Sequence, residues 1–200
     1  RVVDRFQDHA LAYLSLEGMS FGHVLHRAIP VARLRIEAQT SGGHAWSQAG
    51  EPSALHVLAG LAYRAVELGL PSQPKTTLNI GRMEGGSAIN AIASHAWMEV
   101  EVRSESQAQL QRVCEDLVHQ WNQVAGPGVH VRVEPIGARP AGALPPDHPL
   151  VEAACTVTRL TGGVEPRLTG GSTDASLPIS LGYPAVCVGL TTGRKAHAID

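Results

Sequence analysis

His95-Ala96-Trp97-Met98-Glu99-Val100-Glu101-Val102-Arg103 alternates without a break: Ala96, Met98, Val100 and Val102 fall on one face, and Trp97, Glu99, Glu101 and Arg103 on the other. Successive side chains of a strand project to opposite faces, so the pattern predicts a strand with one side in a core and one side in water. Behind it, Ser104-Glu105-Ser106-Gln107 fits the capping-box pattern, and Leu110, Val113, Cys114, Leu117 and Trp121 recur at helical spacing until Gly126. Val129, Val131 and Val133 supply a further strand. Working upstream, residues 76 to 80 read as a strand, and Ala54, Leu58, Leu61, Ala62 and Ala65 form the apolar stripe of a helix that Pro52 suits at its first turn and Gly69 closes. Residues 31 to 39 alternate again, with Ala32, Leu34, Ile36 and Ala38 opposite Arg33, Arg35, Glu37 and Gln39.

The order from residue 31 to residue 133 is therefore β-α-β-β-α-β, the ferredoxin-like split, with two helices covering one face of an antiparallel sheet. Residues 21 to 29 are expected to add a hairpin partner to the first strand. The flanks read differently: residues 12 to 16 as a short apolar strand, 149 to 160 as a helix, 171 to 181 as a loop and short helix, and 185 to 189 as a buried strand. Gly137-Ala138-Arg139-Pro140-Ala141-Gly142 and the Pro145-Pro146 pair mark the return into these flanks. So few strands cannot close a helix-covered α/β sheet, and the flanks are expected to be an incomplete α/β domain holding the ferredoxin-like insert. The expected division is 1–18, an inserted domain over 19–138, and 139–200.

At 200 residues, 44% hydrophobic and net charge −2, the chain has the composition of an ordinary globular protein. Scattered charges give no basic stripe for nucleic acid and no polybasic membrane patch, and no apolar run approaches the roughly 20 residues of a spanning helix. Cys114, Cys155 and Cys187 sit in apolar contexts without a C-x-x-C pair, which reads as reduced core thiols and suggests the cytoplasm.

Three stretches carry chemistry. Ser41-Gly42-Gly43-His44-Ala45-Trp46-Ser47 places a histidine behind two glycines that let the backbone bend to present it. Gly170-Gly171-Ser172-Thr173-Asp174-Ala175 runs from a turn into a short helix, offering backbone N–H groups to a ligand or merely capping that helix. Gly193-Arg194-Lys195-Ala196-His197 follows a buried strand with a histidine in a flexible loop.

Taken in order with Glu17-Gly18 at a strand end and Ile89-Asn90-Ala91-Ile92 ahead of Arg103, these stretches resemble the two-zinc metallopeptidase and deacylase family that includes acetylornithine deacetylase, succinyl-diaminopimelate desuccinylase, aminoacylase, tripeptide aminopeptidase and carboxypeptidase G. The resemblance implies that Glu17 and His197 are metal ligands. It implies that His44 crosses a dimer interface to steady the oxyanion of a hydrolysed amide, and that Asn90, Arg103, Gly171, Ser172 and Thr173 contact substrate. A plain surface ion pair with Glu101 would equally account for Arg103. The implied cofactor is zinc, two per subunit, with cobalt or manganese as alternatives. The resemblance makes the inserted domain over 19–138 a lid and dimerisation domain; the implied substrate is a small peptide or an N-acyl amino acid, and the implied partner a second copy joined through the lid, with the 52–68 helix and an edge strand of residues 31–40 near the axis.

The family's His-x-Asp pair and adjacent Glu-Glu pair have no counterpart in these 200 residues, and His23 and His26, three apart on a strand, point to opposite faces. The chain is therefore expected to be inactive alone and to belong to a larger metal-dependent hydrolase. The alternative is a non-catalytic dimerisation or ligand-binding module.

Overall fold

The computed structural model describes residues 2–193. The chain divides into two compact units, one formed by residues 1–30 with 139–200 and the other by Val31–Ala138.

The chain starts in the first unit with α1 (Val2–Phe6), β1 (Tyr13–Phe21) and β2 (His23–Ala28). It passes through the second as β3 (Val31–Gln39), β4 (Gly43–His44), α2 (Ala54–Val66), β5 (Thr76–Gly85), β6 (Ala91–Ile92), β7 (His95–Ser104), α3 (Gln107–Asn122) and β8 (His130–Arg139). It then returns to the first as β9 (Gly142–Ala143), α4 (Pro149–Gly162), β10 (Arg167–Gly171), α5 (Ser176–Ser180) and β11 (Ala185–Gly189).

In the second unit the sheet order is β5-β7-β3-β8, and β7 is antiparallel to both β3 and β5. The alternation read from the sequence is the burial observed. Leu34, Ile36 and Ala38 of β3 and Ala96, Met98, Val100 and Val102 of β7 form one core with Ala54, Leu58, Leu61 and Ala65 of α2 and Leu110, Val113, Leu117 and Trp121 of α3. The opposite face carries Arg33, Arg35, Glu99, Glu101 and Arg103, with Arg33–Glu101 and Arg35–Glu99 paired across the strands and Arg103–Glu101 along β7. The Arg35 guanidinium stacks 3.9 Å from the centre of the Trp97 ring, so the charged face also shields an aromatic.

Several expectations are corrected. β2 is no hairpin partner of β3: it pairs with β11, β10 and β9 in the sheet of the first unit, because Val24, Leu25 and Ala28 find their apolar contacts there. The second unit accordingly begins at Val31. Residues 31–39 do not form an edge, since β3 lies between β7 and β8, leaving β5 and β8 as the outer strands. The cap of α3 is Ser106, whose hydroxyl accepts the Gln109 N–H at 3.3 Å, while the hydroxyl of Ser104, two residues earlier, accepts the N–H of Ser106.

In the first unit the order is β1-β11-β2-β10, with β9 added on β2. Val24, Leu144 and Val186 pack against Val151 and Cys155 of α4, and Ala28, Ala175, Ala185 and Cys187 against Ile179 of α5. His26 is buried and its Nδ1 lies 2.7 Å from the Leu144 carbonyl oxygen. A ring nitrogen facing a carbonyl must carry the proton, so His26 donates there and ties β2 to the segment returning from the second unit. Among the described residues no helix is long and apolar enough to cross a membrane.

Candidate functional site

His44 stands at the end of a two-stranded ladder in which Gly43 faces Ile92 and His44 faces Ala91. Two glycines make this geometry. Gly42 has φ +68°, and a Cβ there would come within 2.9 Å of the Ser94 Cβ. Gly43 has φ +150°, and its Cβ would lie 2.5 Å from the Gln48 Oε1. L side chains rarely adopt such φ values, so the two glycines let the chain turn out of β3 and present the histidine.

The turn that follows is closed on itself. The His44 N–H donates to Gln48 Oε1 at 2.8 Å, and the Gln48 N–H donates to the His44 carbonyl at 3.0 Å. The His44 Nδ1 receives the backbone N–H groups of Trp46 at 3.2 Å and Ser47 at 3.4 Å. Nε2 has no hydrogen-bond partner among the described residues, and the side chain is exposed. A nitrogen that accepts two N–H groups is unprotonated in the neutral ring, which places the ring proton on Nε2 and makes Nε2 an outward donor.

Asn90 is brought to the same place. The turn closed by the Ala91 N–H on the Ala88 carbonyl, 3.1 Å, holds it, and its carbonyl accepts the Ala45 N–H at 3.0 Å. Its side-chain amide is exposed and makes no hydrogen bond among the described residues. Trp46 and Ile89 flank the two polar groups and are almost fully exposed, at 89% and 105%. Sequence reasoning gave Gln48 and Ile89 no role of their own; the exposure of two large apolar groups beside a histidine only becomes visible once the ladder pairs segments distant in sequence.

Arg103 lies elsewhere. It is opposite Val31 while His95, at the start of the same strand, is opposite Gln39, so about 27 Å of extended chain separates it from the His44 end. Its Nε donates to Glu101 Oε1 at 2.6 Å, and Glu101 also accepts from Arg33 Nε at 2.8 Å. Burial acting alone would raise the Glu101 carboxyl; the hydrogen bonds from Arg103 and Arg33 and their charges outweigh it and hold it below its ordinary value.

In the first unit, Glu17 is exposed on β1, opposite Gly189 of the parallel β11. The strand does not end there as the sequence suggested: it bulges, Ser20 taking φ +64°, and pairs again with Gly189 through Phe21. A Cβ on Gly189 would strike the Ser20 carbonyl, so glycine is required opposite the bulge.

Residues 171–173 sit at the other strand end. β2 is antiparallel to β11 and β10 is parallel to β2, so β10 finishes at the edge of the sheet away from the ends of β1 and β11. Thr173 is engaged locally: its N–H donates to Ser176 Oγ at 3.1 Å, and its Oγ1 accepts the Ala175 N–H at 3.2 Å. Gly171 is spoken for as well, its carbonyl accepting the Ile29 N–H at 3.0 Å. Ser172 has no side-chain partner among the described residues.

His197 lies outside the described residues. Among those described, no group of three His, Cys, Asp or Glu side chains is placed to hold a metal ion, and Glu17 alone does not make a metal centre.

Residues 31–129 match the family described as the peptidase dimerisation domain. That span, residues 31–129, is a domain of the M20 dimerisation kind. A curated relative, a probable carboxypeptidase of Aspergillus terreus, is 47% identical over 64 residues, which are 30% of this chain and 15% of that protein. Among solved structures, the aminopeptidase PepT of Bacillus cereus superposes with a TM-score of 0.70 at 23% identity, over 93% of this chain and 50% of its own. An amidase of the hydantoinase/carbamoylase family from Burkholderia vietnamiensis gives 0.73 at 19% identity, over 89% of this chain and 46% of its own. At such identities the likeness establishes the fold alone. The chain spans about half the length of these structures and a smaller part of the curated relative.

Proposed function

We propose that the protein containing this chain is a metal-dependent exopeptidase or amidohydrolase that cleaves an amide bond of a small peptide or N-acyl amino acid, with His44 as the donor to the oxyanion. The observation that carries this reading is the pairing of an outward Nε2–H on His44 with the free amide of Asn90 on one ladder. An oxyanion needs a preorganised donor, and a peptide group beside it needs an amide that can both give and accept a hydrogen bond. Gly171 and Ser172 enter the proposal as substrate contacts through their backbone, with Thr173 holding their turn in shape. Arg103 is set apart from His44 and Asn90; with Nε held by Glu101, it would meet a substrate carboxylate through its terminal nitrogens.

Glu17 and His197 are proposed as zinc ligands, to be joined by donors beyond the described set. The second unit is proposed as a ferredoxin-like lid that joins two copies. α2 carries Tyr63 and Val66, 65% and 62% exposed, on its outer side and packs over β5, an outer strand whose free edge can pair with its symmetry mate. That arrangement replaces residues 31–40 with β5 at the axis.

The test is hydrolysis of N-acyl amino acids and di- and tripeptides by the zinc-loaded full-length protein, with sedimentation in parallel. Turnover by a dimer supports the reading. A dimer that turns over none of these substrates would assign the chain to a non-catalytic module instead.

A further inference from the structure

We infer that Gln48 is a positioning residue that locks His44 in the tautomer protonated at Nε2. The inference rests on the proposed role of His44 as an oxyanion donor and deepens it. Neutral imidazole in water exchanges its proton between two nitrogens, and only one of the two forms aims an N–H outward from this turn. Four hydrogen bonds decide between them. The Trp46 and Ser47 N–H groups point at Nδ1, so the form protonated at Nδ1 would set donor against donor. Those two N–H groups converge because the segment from His44 to Gln48 is wound into one turn, which the Gln48 N–H closes on the His44 carbonyl. The Gln48 side chain then grips the same residue from the other side, accepting the His44 N–H at 2.8 Å.

The site is built to admit that side chain. A Cβ at residue 43 would occupy the place of the Gln48 amide, 2.5 Å from Oε1 and 2.8 Å from Cδ, so Gly43 keeps the space as well as supplying the φ. Gln48 is itself exposed and belongs to no core cluster, and its side-chain oxygen is engaged by the His44 N–H. Removing the acceptor frees the His44 backbone, loosens the turn and lets the ring rotate away from Trp46 and Ser47.

The experiment compares the protein with its Gln48→Leu and Gln48→Glu variants; because Gln48 is exposed, both are expected to fold. Imidazole ¹⁵N shifts of His44 are recorded with the ring neutral, together with exchange of the Trp46 and Ser47 amides. The expected result is two widely separated ring nitrogens with Nδ1 unprotonated, a separation that narrows in Gln48→Leu as those amides lose protection, and its retention in Gln48→Glu, which still offers an oxygen. In the full-length enzyme Gln48→Leu should lower kcat about tenfold with KM little changed, less than the about 10² to 10³ expected for losing the donor itself, and Gln48→Glu should restore it. A ring protonated at Nδ1, or shifts and amide protection unchanged in Gln48→Leu, would overturn the inference whether or not the full-length protein hydrolyses anything. Should no substrate be hydrolysed, the oxyanion reading fails while the spectra still decide the role of Gln48.

Discussion

Arg103 donates from Nε to Glu101 Oε1 across 2.6 Å, two residues apart on one face of β7. Glu101 faces Arg33 from the neighbouring strand as well, and this pair of cations keeps its folded-state carboxyl below its ordinary value. A depressed carboxyl contributes stability that is fully present above its unfolded-state pKa and lost as pH falls through the folded value. Glu101→Gln is therefore expected to cost about 1 kcal/mol or less near neutrality, the pairs being partly exposed, and nothing once the native carboxyl has protonated. Urea titrations of both proteins between neutral and strongly acid pH measure it. A difference that grows as pH falls contradicts this assignment.

Gly42→Ala tests the chain's exit from β3. The new methyl meets Ser94 at 2.9 Å and the Ile92 carbonyl at 3.2 Å with φ at +68°. Strain of this kind costs about 1 to 3 kcal/mol. The loss should appear as a lower urea midpoint with an unchanged m-value, whereas Gly69→Ala, where a Cβ meets nothing within 4 Å, should be close to neutral.

The thiols are expected to be quiet. Burial raises all three, and at Cys187 hydrogen bonds with Ser15 and Thr173 oppose that rise only in part. Neutral thiols are poor nucleophiles. Near neutral pH the folded chain should react slowly with a thiol reagent, Cys114 first because it alone is half-exposed, and all three should react at once in denaturant. Rapid labelling of Cys187 in the folded state would contradict its place beneath α5.

Truncation of a leucine separates a buried position from an exposed one. Leu117 is fully buried under the sheet and Leu14 is 61% exposed on β1. Leu117→Ala should cost about 2 to 5 kcal/mol, and Leu14→Ala within about 0.5 kcal/mol of zero, both read from urea unfolding.

The sheet of the second unit was legible because β3 and β7 alternate cleanly and both helices carry one apolar stripe. β2 was misplaced because its partners β10 and β11 lie far along the chain, and nothing within His23–Ala28 shows which sheet it joins. β10 was hidden because Arg167–Gly171 ends in glycines that read as a turn. Within the candidate site, the two glycines before His44 announced a bend, but its nearness to Asn90 depends on the two-residue strands β4 and β6, too short to leave a periodicity. The path past Glu17 was illegible for another reason: a serine at φ +64° gives no residue-type signal for a bulge.

His44→Ala in the zinc-loaded full-length protein tests the central claim most directly, with kcat on a hydrolysed N-acyl amino acid or small peptide and the urea midpoint measured together. His44 is exposed and, among the described residues, its imidazole hydrogen-bonds within its own turn, so the midpoint should move little. The account predicts that kcat falls about 10² to 10³-fold. Turnover unchanged in the variant, with the fold intact, would contradict it.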